Sequence, residues 1–478
     1  MAKVLFINSN KWGRGITTIW IASHSGLLKA HNHTVKLFDC TFYKDWSDNE
    51  VEINTRNNQY KKTNYNEKIS LKTGDLKEDL QNLINSYEPD IIFWSALSSH
   101  INGEGEYVSI QYGYDLVKEL VYKSILVTGG IQATASPTDM LKQYPKIDFL
   151  ISGESEFSLL EIANNVNNPE GIKKIKGLSY FDKKFKKNNI QEIIKDLNTL
   201  PLYDYSLFED QVFYRPYNGK VLRAIDYELS RGCIYTCSYC VETVIQQYYG
   251  FNQRTKNGAL INAKNYLRSK SADRIYEELS FYKKKYQIEL VRCQDTNFLT
   301  IDPSVLKELE KLMLKKPLNL KLYIETRPEG INEKSVNLLK NLGVDGVGMG
   351  IELEDENFRE KQLNRFVKQQ KIIDAFKLLK KNDIKKTTYN IIGLPGQTED
   401  SILKTIEFNK ILKPDNITVA YYSPYIGTDE QKKSNKLNYF RKNEKNIDTR
   451  IRSVGKDKEY VKKLDYYMKN FVNMVLNA

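Results

Sequence analysis

The chain has no uncharged apolar run approaching the ~20 residues that span a bilayer. Together with 28% charged residues, this argues against a membrane-spanning fold. It also lacks the long apolar core and cleavage site of a signal peptide. Its opening MAKVLFINSN has one lysine and then a short apolar stretch that reads as a first strand, and a cytoplasmic location is the expectation. Histidine is scarce: His24, His31, His33 and His100 are the full set, all at or before position 100. The five cysteines are an odd number in 478 residues, which does not indicate a disulfide framework. Cys40 and Cys293 stand alone and are expected to be small buried hydrophobes. The other three crowd into eight residues, so metal ligation or redox chemistry is the better explanation.

Net charge is +12, from 72 Lys+Arg against 60 Asp+Glu. The lysines are spread along the chain on expected outer helix faces, so a nucleic-acid partner is not expected. The length suggests roughly two to four domains.

The first part alternates strand-like and helix-like segments: 3–9, a helix over 16–31, 34–39, a helix near 74–88, 90–97, a helix near 108–123, 124–130, a short helix near 137–144, 149–153 and a helix near 156–166. Short β-branched strands separated by helices imply an α/β domain with a doubly wound parallel sheet. Residues 41–72 break this rhythm and read as a long loop. Residues 167–222 read as a connector with one small strand at 177–181. From about 223 a second series supplies six strands at 224–230, 288–295, 320–327, 344–352, 385–393 and 416–425. Amphipathic helices separate them, predicting a curved parallel sheet with its ligands at the carboxyl ends of the strands. A basic, Tyr-rich tail follows, with a helix over 457–476 expected to cap the barrel. The expected domains are 1–166, the connector 167–222, the barrel 223–430 and a helical extension 431–478.

Cys233-Ile-Tyr-Thr-Cys237-Ser-Tyr-Cys240 follows the first strand of the second series. Three thiolates on one loop suit a 4Fe–4S cluster and leave its fourth iron open to a small chelating molecule. Structural zinc wants four protein ligands, and no histidine lies near this loop in sequence. This spacing of three and then two intervening residues, with Tyr239 before the last cysteine, resembles the signature of the radical S-adenosylmethionine (SAM) superfamily. The resemblance implies a partial (β/α)6 barrel in which Cys233, Cys237 and Cys240 hold the cluster at whose open iron SAM is reductively cleaved. It also places SAM-binding groups at Tyr239 and at later strand ends: Asp295 in Gln294–Phe298, Glu325 and Arg327, Glu352 after Gly350, and Asn390 with Gly393, Leu394, Pro395 and Gly396. The alternative for any one of these is an ordinary salt bridge or turn.

The first domain, with Ser95-Ala96-Leu97, Thr128-Gly129-Gly130 and Gly153-Glu154 after successive strands, resembles the flavodoxin-like cobalamin-binding domain fused ahead of some radical SAM barrels. That resemblance implies a corrinoid held by Ser95, Leu97, Gly129, Gly130, Gly153 and Glu154. Two departures stand out. No Asp-x-His-x-x-Gly supplies a lower axial histidine; Ser23-His24-Ser25-Gly26 has the wrong spacing. Phe93 occupies a position where the family pattern has glycine, so its ring either points inward or obstructs the cofactor. His31 and His33 flank a helix end and are expected to be solvated, while His100 lies just beyond the third strand.

The resemblance implies a cobalamin-dependent methyltransferase that spends SAM twice, as methyl donor and as radical source. Its target is an unactivated carbon of a small-molecule, cell-envelope or natural-product substrate, and its partner an external electron donor of flavodoxin or ferredoxin type. A rearrangement, cyclisation or epimerisation by the same family is the enzymatic alternative, and a SAM- or corrinoid-binding regulator the non-catalytic one. Methylthiolation of RNA or protein is disfavoured, because that family carries three further N-terminal cysteines where only Cys40 is present. The segments 41–72, 167–222 and the tail after 430 are expected to recognise substrate. Tyr421, Tyr422 and Tyr425 are expected to fill the barrel mouth.

Overall fold

A computed structural model describes residues 1–96, 106–436 and 458–477. The chain divides into two compact units. Unit 1 comprises Met1–Val51, Tyr65–Tyr214 and Val244–Gly250; unit 2 comprises Glu52–Asn64, Arg215–Thr243 and Phe251–Ala478.

Unit 1 is built on strands β1 (Lys3–Asn8), β2 (Thr34–Asp39), β3 (Ile91–Trp94), β4 (Ile125–Thr128), β5 (Phe149–Ile151), β6 (Leu178–Asp182) and β7 (Lys184–Lys187). Their spatial order is β2-β1-β3-β4-β5-β6-β7. The first five are parallel, while β6 and β7 extend the edge antiparallel. The parallel order 2-1-3-4-5 is that of a flavodoxin-like sheet. Every residue of β3 is buried, as expected of a central parallel strand covered on both faces. Phe93 faces the helix Ile19–Ala30, packing against Trp20 at 5.4 Å and His24 at 5.6 Å between ring centroids. Trp94, one residue on, faces the opposite layer, and its Nε1 donates to the Ile110 carbonyl of the helix Glu106–Val117 at 3.1 Å. Gly113 in that helix leaves room for the indole, since a Cβ there would come within 2.1 Å of it.

Unit 2 carries β8 (Tyr214–Tyr217, its first residue in unit 1), β9 (Lys220–Tyr227), the small pair β10 (Ser230–Arg231) and β11 (Arg268–Ser269), then β12 (Leu290–Cys293), β13 (Lys321–Thr326), β14 (Val344–Glu352), β15 (Lys385–Ile392) and β16 (Asn416–Tyr421). The main sheet runs β16-β15-β14-β13-β12-β9-β8, parallel from β9 to β16 and curled as a partial barrel with helices outside. On β14, Gly346, Gly348 and Gly350 fall two apart and so point the same way. Cβ atoms there would come within 2.7 Å of Tyr217 Oη, 2.5 Å of Tyr389 Oη and 2.2 Å of Glu352 Oε1. Gly346 and Gly348 thus make room for tyrosine hydroxyls, and Gly350 for a carboxylate.

Several expectations change. The stretch 41–72 contains the helix Glu50–Arg56 and the four-residue helix Tyr65–Lys68; its weak apolar periodicity concealed them. The connector 167–222 contributes strands to both sheets, β6 and β7 to the first and β8 and the start of β9 to the second. Helix Lys458–Leu476 packs Leu464, Tyr467, Phe471, Val472 and Val475 against Ile402, Ile406, Ile417, Val419 and Tyr421. It therefore flanks the edge strand β16 instead of capping the barrel. Tyr421 belongs to that flank, where its hydroxyl donates to Asp465 at 2.9 Å. Tyr422 packs with Leu353, Leu363, Leu394 and Tyr239. His33 is buried, held by Ala2 N at 3.0 Å and Asn164 Oδ1 at 3.0 Å, and burial lowers its pKa. No described helix is long and apolar enough to cross a membrane.

Candidate functional site

In unit 2 the cysteine loop leaves the carboxyl end of β9 and is anchored by buried polar contacts. Asp295, just beyond β12, is fully buried and accepts from Leu229 N at 3.1 Å and from the Ser230 hydroxyl. Burial, assisted by nearby Glu228, raises its pKa to about 7. The Glu228 carboxylate is paired with Arg231 at 2.7 Å. The Asp295 carboxylate thus grips the backbone that leads into the cysteines. Beneath it, Gln294 Nε2 donates to Asp226, which is ion-paired with buried Arg215.

Cys233 and Cys237 are buried and Cys240 is partly exposed. Burial pushes the Cys233 thiol up to about 12, with a further push from Glu242 and Cys237. Cys240 is raised by burial and then by Cys237. Each therefore feels the charge of its neighbour. N–H donors reach these sulfurs, Tyr235 N to Cys233 Sγ at 3.4 Å and Arg327 to Cys237 Sγ at 3.3 Å. Among the described residues, no three His, Cys, Asp or Glu side chains converge on one point as a single metal ion would demand. A cubane cluster asks for something different, one thiolate on each of three irons, and an all-sulfur set within eight residues fits that chemistry.

Facing the loop, Tyr239 Oη donates to Glu352 Oε1 at 2.8 Å. Arg365 lies 3.7 Å from the same oxygen and also donates to the Gly350 carbonyl. Glu352 has φ +64°, a left-handed conformation uncommon for side-chain-bearing residues, at the irregular end of the β14–β15 pairing. Arg365 was not singled out by sequence, because it lies in an irregular segment between the helices Glu356–Lys361 and Gln369–Lys381. A buried arginine outside any amphipathic pattern is the signal that points to it.

The other strand-end residues separate. Glu325 accepts from Tyr389 Oη at 2.9 Å, and Tyr389 meets Tyr323 at 2.7 Å between hydroxyls. Asn390 turns away from the strand end: its Oδ1 accepts from Asn409 at 2.8 Å and its Nδ2 donates to the Thr418 carbonyl. Its amide ties β15 to the helix Glu399–Leu412. The following turn has Gly393 and Gly396 at φ +82° and +84° with Pro395 buried between them, and Gln397 Oε1 accepts from Gly393 N at 2.7 Å.

In unit 1, Ser95, Gly129 and Gly130 come together where β3 and β4 end. Gly129 N donates to the Ser95 carbonyl at 2.9 Å, Ser95 has φ +59° and Gly130 φ +97°. A Cβ at Gly130 would come within 3.1 Å of Ser95 Oγ. At the end of β5, a Cβ on Gly153 would come within 2.4 Å of Tyr249 Oη, and that hydroxyl accepts from Glu154 N at 2.7 Å. Glu154 Oε2 accepts from Ile194 N at 2.8 Å. Leu97 and His100 lie outside the described residues. Phe93 is an interior ring of the sheet, and His24 is a core histidine bonded to the Trp20 carbonyl at 2.7 Å and Ser155 Oγ at 2.8 Å.

Comparison with known proteins places these features. Residues 227–408 match the radical SAM superfamily. The chain is 25% identical over 354 residues to an uncharacterized methyltransferase of Pyrococcus horikoshii, covering 73% of this chain and 70% of that protein. It is 23% identical over 442 residues to the anaerobic magnesium-protoporphyrin IX monomethyl ester cyclase of Rubrivivax gelatinosus, covering 89% and 69%. Among solved structures, the fold is similar to that of the radical SAM methyltransferase TsrM from Kitasatospora setae, with cobalamin and a [4Fe-4S] cluster bound (TM-score 0.66, 15% identity, 92% of this chain and 79% of that one). It is equally similar to the cobalamin-dependent SAM radical enzyme OxsB with aqua-cobalamin and SAM bound (TM-score 0.66, 16% identity, 98% and 67%).

Proposed function

From the premise that residues 227–408 form a radical SAM domain and that the whole chain has the fold of the cobalamin-dependent radical SAM enzymes, we propose that this protein is a cobalamin-dependent C-methyltransferase acting on a small molecule. The observation that carries the reading is the joint presence of the three-cysteine loop in unit 2 and the glycine-tipped flavodoxin-like sheet in unit 1. Cys233, Cys237 and Cys240 would hold a 4Fe–4S cluster, which supplies reductive cleavage of SAM when bound. Ser95, Gly129 and Gly130 would hold a corrinoid, as their small side chains keep the strand tips low; at Gly153 that space is filled by Tyr249.

The chain's own residues do the placing. Asp295 fixes the backbone entering the cysteine loop, and Tyr239 with Arg365 fixes the Glu352 carboxylate. Arg365 Nε is buried without a hydrogen-bond partner among the described residues, a cationic donor suited to the carboxylate of a bound amino-acid moiety. The curled sheet excludes water from these groups, which strengthens each charge interaction. A second reading, cyclisation instead of methyl transfer, is favoured by the similarity to the Rubrivivax cyclase over 89% of this chain.

Anaerobic purification and reconstitution tests the choice. A methyltransferase of this type binds a corrinoid and converts SAM to both 5′-deoxyadenosine and S-adenosylhomocysteine. Deoxyadenosine formed without bound corrinoid would sink the methyltransferase reading. Corrinoid with deoxyadenosine but no S-adenosylhomocysteine would favour the cyclase.

A further inference from the structure

Arg327 directly follows β13 and precedes Pro328, with its side chain almost entirely buried. Among the described residues, contacts to Glu329, Tyr235 and Cys237 fix the guanidinium. Its Nε donates to Glu329 Oε1 at 3.1 Å, and a second nitrogen donates to the same oxygen. Its plane carbon lies 3.6 Å from the centre of the Tyr235 ring. Its remaining terminal nitrogen donates to Cys237 Sγ at 3.3 Å. Tyr235 belongs to the cysteine loop itself, and its own N–H donates to Cys233 Sγ. The arginine is thus clamped between a carboxylate and an aromatic face, with an N–H of its other terminal nitrogen given to sulfur.

We propose that Arg327 is a positioning residue that raises the reduction potential of the cluster held by Cys233, Cys237 and Cys240; this rests on the cluster reading above. Adding one electron from a low-potential reductant makes the cluster and its thiolates more negative. A buried cation donating to one thiolate stabilises that reduced form more than the oxidised one. Glu329 balances part of the positive charge and holds the guanidinium in plane, so the hydrogen bond to sulfur is the directed part of the effect. Arg327, which the sequence suggested for SAM, is therefore assigned to the cluster.

The test is an anaerobic redox titration of reconstituted wild type, R327Q, R327K and E329Q, followed by EPR with dithionite and viologen mediators in the absence of SAM, with iron and sulfide counted per chain. In R327Q the reduction equilibrium is expected to become less favourable by about tenfold, which for one electron is about 59 mV more negative. R327K, which keeps the charge and loses the fork, falls between. E329Q, which keeps an acceptor and removes the balancing charge, shifts the potential the other way. R327Q with full iron content at the wild-type potential overturns the proposal. So does loss of iron from R327Q and E329Q alike, which would make the residue a holder of the loop. Wild type that takes up no 4Fe–4S cluster refutes the cluster reading itself, a different failure.

Discussion

The carboxylate of Glu352 folds back over the α-carbon of Gly350, so close that a Cβ at 350 would come within 2.2 Å of its Oε1. Glycine at 350 and the left-handed backbone of Glu352 are therefore two halves of one device. Together they turn a carboxylate from the end of β14 toward Tyr239 on the cysteine loop.

Gly350→Ala should displace that carboxylate. Overpacking of a tight interior site costs about 1–3 kcal/mol, and the Tyr239–Glu352 hydrogen bond is lost with it. Tyr239→Phe removes the same hydrogen bond without steric strain and leaves a buried acceptor short of a donor, at about 1–3 kcal/mol. Thermal denaturation of both variants, with SAM affinity by calorimetry, checks this. If both retain wild-type SAM affinity, the device belongs to the fold and not to SAM binding.

Cysteine substitutions should sort cleanly. Cys233→Ala, Cys237→Ala and Cys240→Ala should each lose most reconstituted iron and all SAM cleavage. Cys40→Ala and Cys293→Ala, both buried core positions, should keep full iron content at a stability cost of roughly 1 kcal/mol. Iron and sulfide analysis with visible absorption reads the difference. Iron loss from Cys293→Ala would mean that the ligand set is wrong.

The parts of this site legible in sequence are local ones. The cysteine loop declares itself because its three sulfurs fall within eight residues, and the strand ends declare themselves because apolar runs stop there. The connections between them were not legible. Tyr239, Glu352 and Arg365 meet from three separate segments, and no periodicity announces that meeting. The direction of the Asn390 amide, which bonds to Asn409 in the helix layer, was not legible either, because a strand buried on both faces gives no polar alternation to show which way a residue points. Phe93 broke a glycine pattern, yet its side of β3 is the aromatic interior with Phe6 and Trp20. Strand β6 coincides with the small strand expected at 177–181, whereas the edge strands β7 and β8 were hidden in a polar stretch because such short strands carry too few apolar residues to show their period.

Asp295 gives the chain a pH signature. Its pKa is raised from the usual 3.8 to about 7 by burial, so the folded state binds a proton more readily than the unfolded one. The resulting stabilisation is fully present below the unfolded value and is lost as pH rises toward and through about 7, by a few kcal/mol at most. Asp295→Asn stays neutral throughout. The wild type should therefore lose stability relative to this variant between about pH 4 and pH 7. Melting temperatures of both across that range decide the matter: a difference that grows in the wild type's favour with rising pH has the opposite sign and sinks the argument.

The tail helix Lys458–Leu476 makes the last expectation a question of packing. Phe471 is fully buried against the layer formed by Ile402, Ile406, Ile417 and Val419, whereas Tyr466 on the same helix is 54% exposed. Removing a buried phenyl ring costs the transfer energy of its carbons and the cavity they leave, about 3–5 kcal/mol for Phe→Ala. Phe471→Ala should lower stability by that amount in denaturant titration, while Tyr466→Ala should change it by less than about 0.5 kcal/mol. The helix also ties down polar groups of the same flank, through Tyr467 to Glu399 at 2.9 Å and Tyr421 to Asp465 at 2.9 Å. Its loss would expose β16 as an unprotected sheet edge. A Phe471→Ala cost below about 1 kcal/mol would mean that this helix is an appendage and that the barrel core closes without it.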